Sequence, residues 1–110
     1  MITYDEFKKI EIRVGQILTA EKIPDTDKLL KLTVDLGEGN CRQIVSGIAL
    51  YFPDPQALVG VKCFFVANLE PRTIKGYESN GMLFAAGGHD DIPFSLIQAD
   101  PTVPAGTPAN

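Results

Sequence analysis

The chain has 110 residues, of which 45% are hydrophobic and 22% charged, a composition typical of one soluble globular domain. No apolar run approaches the roughly 20 residues of a membrane-spanning helix, and the N-terminus lacks the features of a signal peptide. The net charge of −4 argues against the evenly basic surface that many nucleic-acid-binding proteins have. All 10 cations lie before residue 83, however, so this part of the chain can still form a local basic face.

The few cysteines and the single histidine give little support to a metal or redox site. Cys41 and Cys63 lack C-x-x-C spacing, so free thiols in a reducing cytoplasm are the simplest interpretation, with a disulfide as the alternative. His89 stands beside Asp90 in a turn-like segment, where it could bind a metal weakly, but one histidine does not make a zinc site. We expect a cytoplasmic protein with no metal, no cofactor and no catalytic site.

The N-terminal segment predicts one short helix and one long strand. Thr3 and Glu6 have the spacing of a capping box, which predicts a helix from Tyr4 to Lys9 at most. Apolar residues then predict a first strand over residues 12–18. Gly15 in that strand predicts a bulge or a bend, because glycine weakens a regular strand.

The next two strands are predicted as a hairpin. Residues 30–36 alternate between apolar and polar side chains, which is the pattern of a half-buried strand. Residues 37–40 are rich in glycine and are therefore expected to form the hairpin loop. Residues 41–48 then predict the third strand.

The second half of the chain completes the pattern of a barrel. Asp54 before Pro55 predicts a short helix over residues 55–59, and apolar runs predict strands over residues 61–69 and 82–86. Three strands, a short helix and two further strands follow one another in the order of an OB-fold, a five-stranded Greek-key barrel. The predicted fold class is therefore all-β, an OB-fold with short helices and a C-terminal extension.

The C-terminal extension, residues 93–110, differs in composition from the barrel domain, residues 1–92. It contains four prolines together with the apolar residues Phe94, Ile97 and Val103, and a disordered tail usually lacks such apolar residues. We therefore expect the extension to pack on the barrel or at the interface with a second subunit.

The segment of residues 68–82 is predicted as a loop and carries the most informative polar residues. Arg72 and Lys75 lie in it beside amide and hydroxyl side chains, and such groups bind phosphodiester backbones. The alternative is a solvated loop whose charges only confer solubility. A P-loop is not predicted, because Gly76 and Gly81 lack the G-K-[ST] ending.

Several short motifs of one known family occur in order over most of residues 5–87. They are Ile12-Arg13-Val14-Gly15, Asp27-Lys28-Leu29-Leu30, Arg42-x-Ile44-Val45-Ser46-Gly47-Ile48, Ala67-Asn68-Leu69-x-Pro71-Arg72, and Gly76 with Ser79-x-Gly81-Met82. With these motifs the chain resembles the tRNA-binding domain at the C-terminus of many methionyl-tRNA synthetases. The same domain occurs in stand-alone structure-specific tRNA-binding proteins and in CsaA-type secretion chaperones.

The resemblance implies an OB-fold that binds the outer corner of folded tRNA, largely by shape, and has no catalytic activity of its own. It also implies that the C-terminal extension helps to form a homodimer. The chain is either a stand-alone protein or a synthetase extension, and in the second case its role would be to raise the affinity of the enzyme for tRNA. An aminoacyl-tRNA synthetase is the candidate protein partner. Thr73 departs from the family, which often has a second basic residue after Arg72.

Eight residues are candidates for contacts with tRNA. The four cations among them would contact phosphates, and two of these cations lie on the paired second and third strands, where OB-folds often bind their ligands. The amide and hydroxyl side chains would orient the RNA through hydrogen bonds, and the methionine would lie against a ribose or a base. The candidates are Lys31, Arg42, Ser46, Asn68, Arg72, Lys75, Ser79 and Met82.

Most of these candidates also have a purely structural interpretation. Asn68 can cap the end of the fourth strand, and Ser46 can satisfy a carbonyl group of the barrel. Met82 can pack in the core at the start of the fifth strand. Lys31 and Arg42 can be the ordinary charges of a half-exposed sheet.

Two functions of another kind stay open. A CsaA-type peptide-binding secretion chaperone would use apolar surface such as Phe64, Phe65 or Tyr77 in place of cations. The first two point to opposite faces of a strand, so only one can easily join the core. A dimerisation module without affinity for RNA is the other alternative. Salt separates these functions, because phosphate contacts weaken as salt rises, whereas apolar peptide binding holds or strengthens.

Overall fold

The computed structural model describes residues 1–109 and shows a molecule built mainly of strands. One α-helix, α1, covers Tyr4–Phe7 and lies within the predicted limits. It begins at the predicted capping box, since the Glu6 N–H donates to Thr3 Oγ1 at 3.1 Å and the Thr3 N–H donates to Glu6 Oε1 at 3.1 Å. None of the four helical residues is buried, so the helix contributes little to the core.

The strands are β1 (Ile12–Lys22), β2 (Leu30–Asp35), β3 (Arg42–Ser46), β4 (Lys62–Val66), β5 (Arg72–Ile74), β6 (Tyr77–Ser79), β7 (Met82–Leu83), β8 (Ala85–Ala86) and β9 (Ser95–Leu96). Five of them form one antiparallel sheet in the order β3-β2-β1-β4-β7, and β5 with β6 and β8 with β9 form two smaller sheets. This all-β barrel confirms the predicted fold class.

The barrel closes where β3 meets the end of β6. The Val45 N–H donates to the Ser79 hydroxyl at 2.9 Å, and the Asn80 N–H donates to the Gln43 carbonyl at 2.9 Å. Gln43 Nε2 also donates to the Glu78 carbonyl at 3.0 Å. These bonds satisfy the outer edge of β3 and hold the β5–β6 hairpin against the sheet.

The core lies inside the barrel and comes mainly from alternate residues of the strands. Leu30, Leu32 and Val34 of β2 are each 0% exposed, as the alternation predicted. Phe65 of β4 is also fully buried, whereas its neighbour Phe64 is half-buried, so only one of the two joins the core. Each such burial stabilises the fold by about 1.5–3 kcal/mol relative to an exposed side chain.

Gly15 is not the bulge that the sequence predicted. It pairs regularly with Cys63, and the register shift of β1 lies between Ile17 and Thr19. A Cβ atom at Gly15 would lie 2.7 Å from the Phe65 ring. The glycine is therefore required because a large core side chain packs directly against the strand.

Some strands are longer than predicted and others are shorter. β1 continues to Lys22, whereas β3 and β4 are shorter than the apolar runs that predicted them. The predicted fifth strand is divided into β7 and β8, which pair with different neighbours. The predicted loop of residues 68–82 contains the hairpin of β5 and β6, so its description as a loop was wrong for those six residues.

The two remaining helices are short 3-10 helices at Ala49–Tyr51 and Pro55–Leu58. The second agrees with the predicted helix, and Asp54 caps it, because the Gln56 N–H donates to Asp54 Oδ1 at 3.0 Å. Within residues 1–109, no helix has both the length and the apolar character needed to cross a membrane.

The C-terminal extension runs along the outer edges of β4 and β1. The Phe64 N–H donates to the Ile97 carbonyl at 3.0 Å, and the Val14 N–H donates to the Thr107 carbonyl at 2.9 Å. The Gly106 N–H in turn donates to the Val14 carbonyl at 2.7 Å. The extension thus contacts the barrel through backbone hydrogen bonds, while its boundary at residue 93 and its part in a homodimer stay predictions.

Candidate nucleic-acid interface

The β5–β6 hairpin presents two exposed cations at the surface of the barrel. Lys75 and Gly76 form its two-residue turn with φ angles of 51° and 85°, both in the left-handed region, as in the type I′ turns that join tight hairpins. Arg72 begins β5 and is exposed, like Lys75. Neither cation forms an ion pair within the described residues 1–109. The backbone at these cations is fixed, and their side chains can still receive an anion.

Lys31 connects β2 to this hairpin. Its Nζ lies 5.5 Å from the centre of the Tyr77 ring and 3.5 Å from Glu21 Oε1. The ring contact brings the outer face of β2 and the hairpin into one continuous surface. An exposed ion pair such as that with Glu21 contributes about 0–1 kcal/mol, so a phosphate group can replace the carboxylate.

Arg42 is held by contacts within the chain. Its Nε and Nη2 donate to the two carboxylate oxygens of Glu38 at 2.8 and 2.6 Å, and its Nη1 donates to the carbonyl groups of Ala67 and Asn80. The hydrogen bonds from this guanidinium hold the pKa of the Glu38 carboxyl below its ordinary value of 4.5. Four of the five guanidinium N–H groups are thus used, and they join β3 to the ends of β4 and β6.

Ser79 is buried at the closure of the barrel, with 5% of its surface exposed. Its hydroxyl accepts a hydrogen bond from the Val45 N–H at 2.9 Å and donates one to the Gly81 carbonyl at 3.3 Å. These contacts give Ser79 a structural role in joining β3 to the hairpin. Its direct contact with RNA stays a prediction.

Asn68 ties the segment between α1 and β1 to the end of β4. Its Oδ1 accepts from the Glu11 N–H at 2.9 Å, and its Nδ2 donates to the Lys9 carbonyl at 2.6 Å. Both ends of the amide therefore bond to backbone groups, which agrees with the structural interpretation of this residue. Asn68 is nevertheless an exposed residue, and its contact with RNA stays a prediction as well.

Ser46 and Met82 lie at strand ends. Ser46 ends β3, where it pairs with Leu30 of β2 and is half-buried. Met82 begins β7 and is 47% exposed, so the interpretation of Met82 as a core residue was wrong. Its flexible side chain is available at the surface.

The candidate set did not include the loop of residues 25–29, which faces the hairpin turn across a groove. This groove has a volume of about 440 Å³ and is lined by the loop together with Ile74 and Lys75. Lys28 lies in the loop and forms no ion pair within residues 1–109. The OB-fold itself could have indicated this site, because the loops after its first and fourth strands bound its ligand-binding face.

The aromatic residues considered for peptide binding are largely covered. Phe65 is fully buried, and Phe64 and Tyr77 are half-buried. Tyr77 also lies against the Lys31 ammonium group. These three side chains therefore do not form an open apolar surface.

The cysteines and the histidine do not come together in the structure. Cys41 is exposed and Cys63 is buried, and both are free, so the alternative of a disulfide is not realised. Burial raises the pKa of the Cys63 thiol to about 11. His89 Nδ1 lies 3.1 Å from the Gly87 carbonyl, and no three metal-ligating side chains are grouped within residues 1–109.

Sequence comparisons place the chain in a family. The family described as "Putative tRNA binding domain" matches residues 12–108. The methionine--tRNA ligase of Enterococcus faecalis is 41% identical over 105 residues, which are 96% of this chain and 16% of that protein. The methionine--tRNA ligase of Methanothrix thermoacetophila is 50% identical over 106 residues, which are 96% of this chain and 15% of that protein. The chain thus spans about one sixth of the length of these curated relatives.

Solved structures show the same fold. The MetRS related protein from Pyrococcus horikoshii is 43% identical with a TM-score of 0.90, and the match covers 99% of this chain and 97% of that one. The CsaA chaperone protein from Picrophilus torridus is 27% identical with a TM-score of 0.86, and the match covers 100% of both chains. From the match over residues 12–108 and the identity to methionine--tRNA ligases, the chain belongs to the tRNA-binding domain family.

Proposed function

We propose that the chain is a tRNA-binding module without catalytic activity, which acts as a cytoplasmic homodimer and serves an aminoacyl-tRNA synthetase. The observation that carries this proposal is the pair of exposed cations, Arg72 and Lys75, on a hairpin whose backbone is fixed. Because the backbone that carries these cations is already fixed, binding of a folded RNA needs to order only their side chains.

Three cations would contact phosphates in this complex. Arg72 can contact two phosphate oxygens at once, whereas Lys31 and Lys75 act as mobile point charges. The contact of Lys31 with Tyr77 supports a single binding surface that joins β2 to the hairpin. Ser46 and Met82 would contribute orienting contacts beside these cations.

Three other candidates would act mainly by holding parts of the fold in place. The polar groups of Arg42, Asn68 and Ser79 already bond to groups of this chain, and two of these residues join the hairpin to β3. Substitution of Arg42 or Ser79 is therefore expected to weaken tRNA binding through a loosened hairpin, without removing a phosphate contact. Substitution of Asn68 would instead loosen the segment before β1.

The homodimer would compensate for the acidic balance of the chain. With a net charge of −4, one copy is expected to bind RNA only modestly. Two sites that engage one rigid tRNA combine through their effective concentration, which raises the overall affinity without a new contact. The identity to methionine--tRNA ligases supports a role in raising the affinity of such an enzyme for tRNA.

The first experiment is fluorescence anisotropy of labelled total tRNA with the purified chain at about 50 and 200 mM salt. We expect saturable binding whose affinity drops steeply as salt rises. In the double variant Arg72→Gln with Lys75→Asn, the slope of log K against log salt should decrease by about 1 for each cation removed. Asparagine suits position 75 because it tolerates the left-handed backbone of a type I′ turn.

A matched control removes the same charge elsewhere. The double variant Lys8→Gln with Lys9→Gln changes the C-terminal side of α1 and should leave the slope close to that of the unaltered chain. Equal slopes for both double variants would contradict the assignment of Arg72 and Lys75 as phosphate contacts. Absence of binding at both salt concentrations would contradict the proposed function itself.

A second function is favoured by one observation, the high structural similarity to the CsaA chaperone protein. A peptide-binding chaperone would bind unfolded polypeptide through apolar contacts, which hold or strengthen at high salt. The same anisotropy experiment with a labelled apolar peptide in place of tRNA separates the two functions. We expect weaker binding of the peptide, because the aromatic side chains considered for it are largely covered.

A further inference from the structure

We propose that the groove between the loop of residues 25–29 and the hairpin turn at Ile74–Lys75 binds one unstacked nucleotide of tRNA, whose base carries an amino group on its pairing edge. This loop–turn groove is separate from the phosphate contacts of Arg72 and Lys31. The inference rests on the proposed function. It adds to the phosphate contacts a site that recognises one base of the RNA.

The loop wall of the groove is anchored by hydrogen bonds. The Ile23 N–H donates to the Leu29 carbonyl at 3.2 Å, and Thr26 Oγ1 donates to the Ile23 carbonyl at 2.8 Å. The Ala49 N–H donates to the Lys28 carbonyl at 3.0 Å. The loop is therefore closed on itself and joined to the barrel, so the wall is formed before a ligand arrives.

The hairpin wall is anchored as well. Its turn is a tight two-residue turn, and the Tyr77 ring beside it packs under Lys31. Gln43 of β3 bonds to the carbonyl of Glu78 at 3.0 Å. Both walls of the groove are thus held by contacts with the rest of the chain.

The groove has an apolar surface of the size that a base requires. Leu29 and Ile74 line it from opposite walls, and both are half-buried. The volume of about 440 Å³ lies within the roughly 300–1,000 Å³ of typical small-ligand sites. Flipped bases are held between aromatic or apolar side chains, so the two aliphatic residues suit the face of a base.

The charges around this surface select a nucleotide over simpler ligands. Lys28 and Lys75 supply two positive charges, and Asp25 and Asp27 supply two negative charges. None of the four forms an ion pair within residues 1–109. A free phosphate would leave the carboxylates without donors, and an apolar peptide would leave all four charges without partners. A nucleotide has a phosphate for the lysines and donor groups for the carboxylates.

The carboxylates also distinguish among the bases. An ionised carboxylate only accepts hydrogen bonds, and it can accept two that run in parallel. The pairing edge of guanine offers two adjacent donors, its N1–H and its amino group, whereas uracil offers one donor between two carbonyl acceptors. We therefore expect guanine to bind most strongly and uracil to bind most weakly.

A direct test uses nuclear magnetic resonance of the full chain with GMP and UMP as probes. Millimolar GMP should shift the methyl signals of Leu29 and Ile74, while the methyl signals of Ile92, an exposed residue outside the groove, stay in place. Unmoved signals at Leu29 and Ile74 would overturn the assignment of the groove. Equal shifts with UMP would overturn the selection for an amino group.

Two variants connect the groove to tRNA itself. Ile74→Thr keeps a β-branched residue in β5 and should lower tRNA affinity about 3- to 10-fold without changing the salt slope, in line with the loss of one base contact. Lys28→Gln should lower the affinity and also reduce the slope by about 1. Ile92→Thr is the matched control for the first variant and should leave both quantities unchanged.

The outcomes separate this inference from the proposed function. Loss of affinity for Ile74→Thr and Lys28→Gln, but not for Ile92→Thr, supports the groove. If the unaltered chain binds tRNA with a steep salt dependence but these variants behave like the control, the groove is wrong and the proposed function stands. If the unaltered chain binds no tRNA at either salt concentration, both are overturned.

Discussion

Arg42 and Arg72 are both arginines of the predicted binding face, and their surroundings are opposite. Arg42 donates hydrogen bonds to Glu38, Ala67 and Asn80 and has a side chain that is 26% exposed. Arg72 is exposed and forms no ion pair within residues 1–109.

The comparison shows that the partners of a charged residue decide what it can do. A guanidinium whose N–H groups mostly bond to internal acceptors stabilises the fold, and its removal leaves those acceptors without donors. A guanidinium in solvent contributes little to the fold and is free to bind phosphate. Stability and salt-dependent binding should therefore respond to different residues.

The largest effect is expected for Arg42→Ala. This variant removes the donors for two backbone carbonyl groups and for the Glu38 carboxylate, so the free energy of unfolding should fall by about 2–3 kcal/mol. Urea denaturation measures the loss, and Arg72→Gln is the control, with an expected change within about 0.5 kcal/mol. tRNA binding should show the reverse pattern. The slope of log K against log salt should decrease for Arg72→Gln and stay unaltered for Arg42→Ala. Equal loss of stability in Arg42→Ala and Arg72→Gln would contradict the distinction between a structural arginine and a binding arginine.

A smaller loss is expected for Ser79→Ala. The substitution leaves the Val45 N–H without its acceptor at a buried position, which should lower the free energy of unfolding by about 1–2 kcal/mol. Ser95→Ala removes the same hydroxyl from an exposed residue and should change stability by less than about 0.5 kcal/mol. If the two variants were equally stable in urea, the closure of the barrel through Ser79 would not contribute to folding.

The smallest effect concerns pH and the Glu38 carboxyl. Its pKa is lower in the folded chain than the ordinary value of 4.5, because Arg42 donates to the ionised form. The folded state therefore binds fewer protons than the unfolded state in this range. The stability that Glu38 contributes is present above pH 4.5 and is lost as pH falls through the lower folded pKa.

Glu38→Gln tests this pH dependence. The variant cannot ionise, so the difference in unfolding free energy between it and the unaltered chain should shrink as pH falls below 4.5. Urea denaturation at several pH values from neutral to acid measures the difference. A difference that stays constant with pH would show that the Arg42 contact does not favour the ionised carboxyl.

Local patterns in the sequence predicted much of the fold. The alternation of β2 predicted its buried face, and the spacing of Thr3 and Glu6 predicted the start of α1. These features depend on near neighbours in the chain, so sequence periodicity and capping rules apply to them directly. The order of strands and the family motifs then predicted the barrel.

Features that depend on distant residues were not predicted. Gly15 is required by the ring of Phe65, which lies 50 positions further along the chain, and nothing near the glycine in sequence indicates this contact. The roles of the site residues depend on the same kind of information. Glu38 is near Arg42 in sequence, but the two carbonyl groups that Arg42 binds are 25 and 38 positions away, so the sequence did not show that Arg42 joins β3 to the ends of β4 and β6.

The C-terminal extension has a consequence for self-association. β1 pairs with β2 only from Gln16 to Lys22. The backbone groups of residues 12–14 on that edge of β1 would therefore be unpaired without the extension. Gly106, Thr107 and Ala109 bond to this side and cover it. An uncovered strand edge is a template for pairing with another chain, so loss of residues 103–109 should cause aggregation through edge-to-edge pairing.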